Sequence, residues 1–259
     1  MNKHLFKQIL KEEQRKPYFK KIIERVEEAG PSLSPDYQDI FRAFYITPLE
    51  ETKVVILGQA PYPKGANGMA FAKVRGPYPG TARRLMEELK REGHTINHFN
   101  LTSWARQGVL LLNASLTVEQ RGLRMHAPLS HAKLWEPFVG RIIKELTARG
   151  DVVFALLGKK AQALYDAHTA DPELLTVRVP HPSPQSTTLF PGCGLFSLLD
   201  AAIDKAGHPA INWSLDRPAP RGVWTNYDRK YFELFDPEVT PLVTAEGSHE
   251  KTDLAELYL

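Results

Sequence analysis

The sequence predicts an α/β protein, a three-layer α/β/α sandwich around a short, mainly parallel, four-stranded sheet. Three observations lead there. Four short apolar runs, Val54 to Leu57, Val109 to Leu112, Val152 to Leu157 and Leu175 to Val179, have the length and branching of buried strands. Segments with apolar residues at helical spacing lie between them. Each run stops at Gly, Asn or Pro and opens into a polar loop. Strands alternating with helices imply a parallel sheet with helices on both faces.

The elements follow in order. Leu5, Phe6, Ile9, Leu10, Phe19, Ile22, Ile23 and Val26 recur at helical spacing, predicting one or two amphipathic helices broken near Pro17 and ended by Gly30-Pro31. Ser32 to Asp36 reads as a loop. Ile40, Phe41, Phe44 and Tyr45 form an apolar cluster before Pro48, the makings of a helical cap on the core. After the strand at 54–57 comes a loop holding Pro61, Pro63, Gly65, Asn67 and Gly68, its path stiffened by proline and turned by glycine. A second Gly- and Pro-rich loop, Val74 to Thr81, precedes a helix with Leu85, Met86 and Leu89 on one face, and Thr81 is placed to cap it. Asn113 closes the next strand, either as a turn residue or as a group that both donates and accepts from one amide.

Residues 114–131 read as a polar connection with Arg121, Arg124, His126 and His131. A helix from Lys133 to Leu146 turns Trp135, Phe138, Ile142 and Ile143 inward. The third strand ends at Gly158-Lys159-Lys160, and a helix with Ala161, Ala163 and Leu164 follows. The fourth strand runs into Pro180-His181-Pro182-Ser183-Pro184-Gln185-Ser186. In a parallel sheet the four loops at 58–68, 113–117, 158–160 and 180–187 share one edge, where residues distant in sequence can build one site.

Composition sets outer limits. The chain has 259 residues, 42% hydrophobic and 24% charged, enough for one large α/β domain or two small ones. A net charge of +3 permits an anionic partner without demanding one. The single Cys193 excludes an internal disulfide and fits a reducing compartment. There is no run of eighteen apolar residues and no signal-peptide core at the start, so a non-membrane, cytoplasmic protein is expected, or a nuclear one in a eukaryotic or viral setting. No Cys/His cluster with ligand spacing, dinucleotide fingerprint or P-loop occurs, so no metal or cofactor is expected.

The loops carry more specific wording. Gly58-Gln59-Ala60-Pro61-Tyr62-Pro63, followed by Gly68-Met69-Ala70-Phe71, resembles the water-activating signature of family 1 uracil-DNA glycosylases. Gly108 to Asn113 with Leu116-Thr117-Val118 is similar to that family's uracil-recognition strand. Ser130-His131, Trp135-Glu136, His181-Pro182-Ser183-Pro184, Gly192-Cys193, Phe196-Ser197 and Ile211-Asn212-Trp213 match further motifs in the family's order. The resemblance spans about residues 15 to 213. It suggests a domain over 1–215 and an extension over 216–259, whose Trp224, Tyr227, Tyr231, Phe232 and Phe235 argue for packing on the domain.

The resemblance implies hydrolysis of the N-glycosidic bond of uracil held outside the DNA stack. Phe71 would stack on the base, Asn113 would bind its N3 and O4 edge, and Tyr62 would stand against C5 and exclude a methyl group. Gln59 would add main-chain contacts. His181 would donate to O2 as charge builds on the leaving base. Pro77, Pro79, Thr81, Gly158, Lys159, Ser183 and Ser186 would hold the phosphates. Two positions depart from the family. Ala60 stands where the family carries its catalytic Asp, and Gln185 stands where a leucine fills the gap left by the base. Ala60 fits an engineered inactivating replacement made to trap a complex, a natural loss that leaves a DNA-binding protein, or a mechanism rewired through another carboxylate. Gln185, a poorer substitute for stacking, should weaken action on duplex relative to single strands. The implied partners are uracil-containing DNA, single- or double-stranded, and a proteinaceous glycosylase inhibitor; a monomer is expected. The rival is a non-catalytic DNA-binding or processivity-type protein on the same scaffold.

Overall fold

The computed structural model describes residues 5–73, 77–120, 131–171, 173–183 and 190–216. Contacts divide the chain after Gly222, and the described residues all belong to the first unit. The aromatic extension therefore lies outside the described residues, apart from Asp216.

The central sheet has the order β3-β2-β5-β6 and is parallel throughout. Its strands are β2 (Val54–Gly58), β3 (Val109–Asn113), β5 (Val153–Leu157) and β6 (Thr176–Val179). The continuous apolar runs explain why β2, β3 and β5 are buried along their whole length. In β6 only alternate residues, Val177 and Val179, are buried, as suits an edge strand. Register places Val54 beside both Val109 and Val153, so the strands start level and end level. Their C-terminal loops consequently share one edge.

Helices surround this sheet. The first two are α1 (Leu5–Gln14) and α2 (Pro17–Ala29), with Pro17 at the first turn of α2, where its missing N–H costs nothing. The apolar cluster at 40–45 becomes α3 (Arg42–Ile46). Then come α4 (Gly80–Arg91), α5 (Thr102–Ala105), α6 (Ala132–Thr147), α7 (Lys159–His168) and α8 (Leu195–Lys205). Phe6, Phe19, Phe41, Phe44, Trp135 and Phe138 from α1, α2, α6 and the region of α3 interlock, with Phe6 stacked on Phe44 at 4.4 Å. A second cluster joins Trp104, Phe196 and Trp213, whose ring centroids lie 5.3 to 5.6 Å apart.

Three expectations need correction. Residues 32–36 are not simply a loop, because β1 (Leu33–Ser34) pairs antiparallel with β4 (Val118–Glu119). Part of the connection after Asn113 is therefore strand; its stretch 121–130, with Arg121, Arg124 and His126, lies outside the described residues. Two-residue strands have no periodicity to read, so their pairing is a tertiary outcome. Thr81 does not cap α4. The cap position is Pro79, with no side-chain bond to the helix end, and Thr81 lies inside the first turn.

Buried polar groups fasten β4 to the helices. Arg25 donates Nε–H to His131 Nε2 at 3.3 Å, which leaves the ring proton on Nδ1, 2.9 Å from Thr117 Oγ1. Trp135 Nε1 donates to the same oxygen at 2.7 Å, and Arg25 also pairs with Glu119. Further along, Glu88 of α4 is almost fully buried and accepts from Gly192 N at 2.6 Å and Gly194 N at 2.8 Å. Glu92, one turn on, accepts from Phe196 N, Ser197 N and Ser197 Oγ. These two carboxylates fix the start of α8.

Glu88→Ala would take the carboxylate partner from two partly exposed main-chain N–H groups, at a cost on the order of 2 kcal/mol. Urea denaturation should show that loss with an unchanged slope, and a loss below about 0.5 kcal/mol, the scale of a neutral surface change, would contradict the assignment.

Candidate functional site

The C-terminal ends of the four strands gather the candidate residues. Pairing of β2 with β3 continues one step past the apolar run and sets Asn113 beside Gly58. It goes on into the loops, where Ala114 N donates to Gly58 O and Ser115 N to Gln59 O, each at 2.9 Å. Asn113 is thus the last residue of a strand, more rigidly held than a turn residue. Its side chain is 3% exposed and its amide has no hydrogen-bond partner among the described residues. An amide so placed is open to completion by a ligand.

Gly58 makes room for that amide. A Cβ there would meet Asn113 Oδ1 at 2.7 Å, Ala70 Cβ at 3.0 Å and the Phe71 ring at 3.4 Å. The three groups therefore surround one point at the end of β2. Phe71 reaches it through a backbone with φ of 63°, an unfavourable region for a bulky residue. Ala70 N holds the segment down by donating to Leu111 O of β3 at 2.9 Å. An aromatic ring and an amide without a partner among the described residues meet here, a combination suited to a flat heterocycle with polar edges.

Gln59 and Ala60 are half-buried just beyond β2. The Gln59 carbonyl is occupied by Ser115, while its N–H has no partner among the described residues. Tyr62 is half-buried, and its carbonyl accepts from Ser34 Oγ at 2.7 Å. Its phenol lies 2.8 Å from Thr81 Oγ1, and burial pushes its pKa up to about 12. Pro79 stands at the start of α4 with Pro77 exposed before it.

The other half of the edge pairs β5 with β6. Gly158 has φ of 90°, and a Cβ there would meet His181 Cβ at 2.6 Å, so only glycine lets these loops close together. Gly158 also begins α7, with Lys159 and Lys160 exposed at its N-terminus. The His181 ring makes no hydrogen bond among the described residues. Burial, and secondarily the charge of Lys160, hold its pKa below the usual 6.5. A neutral imidazole with a free N–H is a hydrogen-bond donor that carries no charge of its own. Ser183 is half-buried two residues on, while Gln185 and Ser186 lie outside the described residues.

Among the described residues no three or more His, Cys, Asp or Glu side chains are grouped to hold a metal ion. No described helix is long and apolar enough to cross a membrane. Sequence reasoning missed Gly58 and Ser34 as site-shaping residues. The Gly58 role follows only from the register with Asn113, and nothing local marks Ser34.

Comparison with known proteins adds a second line. A family model described as the uracil DNA glycosylase superfamily matches residues 44–192. Uracil-DNA glycosylase of Proteus mirabilis is 38% identical over 215 residues, spanning 79% of this chain and 93% of that protein. The protein of the same name from Coxiella burnetii is 40% identical over 219 residues, spanning 80% and 95%. Among solved structures, mimivirus uracil-DNA glycosylase superposes with a TM-score of 0.72 at 24% identity, covering 83% of this chain and 87% of that one. A tyrosine variant of the mimivirus protein in complex with UGI gives 0.71 at 23% identity, covering 83% and 89%. At these identities the superpositions speak for the fold.

The His181 geometry has a titration consequence. In the unfolded chain the imidazole takes up its proton as pH falls through 6.5, and in the folded chain only at lower pH, so stability declines as pH falls through 6.5 toward the lower folded value. A proton NMR titration should give a midpoint below 6.5, moving upward in Lys160→Ala. A midpoint at or above 6.5 would mean that the ring is not held as described.

Proposed function

The chain belongs to the uracil-DNA glycosylase superfamily, and on that premise we propose that it is a uracil-DNA glycosylase of DNA repair, hydrolysing the N-glycosidic bond of uracil flipped out of DNA, with its rate reduced by Ala60. The observation that carries this reading is the Asn113 amide, without a hydrogen-bond partner among the described residues, beside the Phe71 ring, both gathered at Gly58 on the strand-end edge.

The chemistry follows from the groups present. Phe71 stacks on the extruded ring. The Asn113 amide donates to O4 and accepts from N3–H, a pattern uracil satisfies and cytosine inverts. The Gln59 N–H, without a partner among the described residues, adds a main-chain donor. Tyr62 fills the space at C5 that a thymine methyl needs. As the glycosidic bond breaks, negative charge gathers on the base oxygens, and His181 donates its N–H to O2. Neutrality of the ring suits that task, because the proton is shared with the departing base rather than surrendered before it leaves. Lys159, Ser183, Ser186 and the loop through Pro77, Pro79 and Thr81 hold phosphates and fix the strand without reading sequence.

Ala60 occupies the position of the family's water-activating aspartate. A methyl group neither orients water nor balances positive charge on the sugar. Binding and the His181 contribution survive this change, so recognition outlasts turnover. A proteinaceous inhibitor is the expected protein partner, supported by the complex of the mimivirus relative with UGI. The second reading, a non-catalytic DNA-binding protein on the same scaffold, is favoured by Ala60 together with Gln185.

Uracil release from a labelled oligonucleotide, followed for this chain and for Ala60→Asp, separates the two. The enzyme reading expects Ala60→Asp to be faster by about 10²–10⁴-fold, the usual worth of a general base. Two proteins that bind the oligonucleotide and release nothing would leave only the binding reading.

A further inference from the structure

We infer that Thr81 is the positioning residue for Tyr62: its hydroxyl fixes the phenol at the pocket wall and thereby joins the grip on the DNA strand to the rejection of 5-methylated bases. The inference rests on the reading above, in which Tyr62 faces C5 of the base. Tyr62 is pinned at two points. Ser34 Oγ donates to its carbonyl at 2.7 Å, and its phenol oxygen lies 2.8 Å from Thr81 Oγ1. Ser34 is buried in β1 and held by the pairing of β1 with β4, so the main-chain anchor is fixed to the small sheet. The second anchor belongs to a different element, the first turn of α4, directly after the loop ending at Pro79.

A tyrosine side chain has only two torsions. With its backbone held by Ser34 and the far end of its ring by Thr81, little freedom remains. A methyl group at C5 can enter only by displacing the phenol, which breaks the bond to Thr81 or shifts the start of α4. Selectivity against thymine thus depends on a hydroxyl that need not touch the base.

The same hydroxyl has a further capacity. It carries one proton and two lone pairs. When Tyr62 O–H donates into Thr81 Oγ1, the threonine proton is left for an outside acceptor. A phosphate oxygen at this turn is such an acceptor, and it selects this direction, because the reverse direction uses the proton inside. Hydrogen bonds in series polarise and strengthen one another. Burial keeps the phenol protonated and able to donate, its pKa pushed up to about 12. Among the described residues the Thr81 hydroxyl has no hydrogen-bond partner besides Tyr62.

The test measures equilibrium binding of two single-stranded oligonucleotides that differ only in one uracil or thymine. The proteins are this chain, Thr81→Val, which keeps the shape and removes the hydroxyl, and Thr81→Ser, which restores it. The uracil-over-thymine affinity ratio should fall about five-fold in Thr81→Val, the worth of one neutral hydrogen bond, and return in Thr81→Ser. Thermal midpoints check folding. If Thr81→Val does not fold, Tyr62→Phe removes the same bond from the other side and carries the same expectation. A parent preference for uracil that persists unchanged in the variant overturns this inference alone, as does a loss that Thr81→Ser fails to restore. If the parent shows no preference for uracil, the pocket reading itself falls and takes this inference with it.

Discussion

The contact at Gly58 is the constraint on which the site depends. The β2–β3 ladder sets Asn113 opposite Gly58, and the absent Cβ leaves room for its amide. The Phe71 ring borders the same point, tied to β3 through Ala70 and Leu111. Strand hydrogen bonds therefore set the distance between the Asn113 amide and the Phe71 ring. Sites held by strands keep their geometry better than sites carried wholly on loops. The opposite half repeats the device, with Gly158 allowing His181 to close over the start of α7.

Helix α4 links the separate parts of the edge. Its first turn holds Tyr62 through Thr81, and its second half holds the segment before α8 through Glu88 and Glu92. Negative charge at the start of α8 also opposes the positive end of that helix, supplying what Gly194 at its cap lacks. Tyr62 and the chain leading into α8 thus answer to one helix. Movement of α4 would be felt at both.

Much of this was legible because buried parallel strands declare themselves. Val54 to Leu57 and Val109 to Leu112 are apolar without interruption, and the parallel order follows from helices between them. That order alone brings the loops holding Gln59, Asn113, Gly158 and His181 to one edge. Features that depend on partners far along the chain stayed hidden. Glu88 and Glu92 look like the solvated face of an amphipathic helix, yet their partners lie 104 to 106 residues downstream. Thr81 looked like a cap because threonine before a helix usually is one, whereas its hydroxyl is engaged by Tyr62 across 19 residues. β1 and β4 are too short to show alternation. Gly58 reads as the end of a strand until register reveals what stands opposite.

The central claim is that Asn113 presents a ready, unpaired amide to the edge of uracil. The side-chain amide resonances of Asn113 report on it directly, observed while a single-stranded oligonucleotide containing one uracil is added, and again with cytosine in its place. The account predicts a clear shift of both amide protons with uracil and little change with cytosine, whose donor and acceptor pattern is reversed. Equal shifts with the two oligonucleotides, or none with uracil, would contradict it.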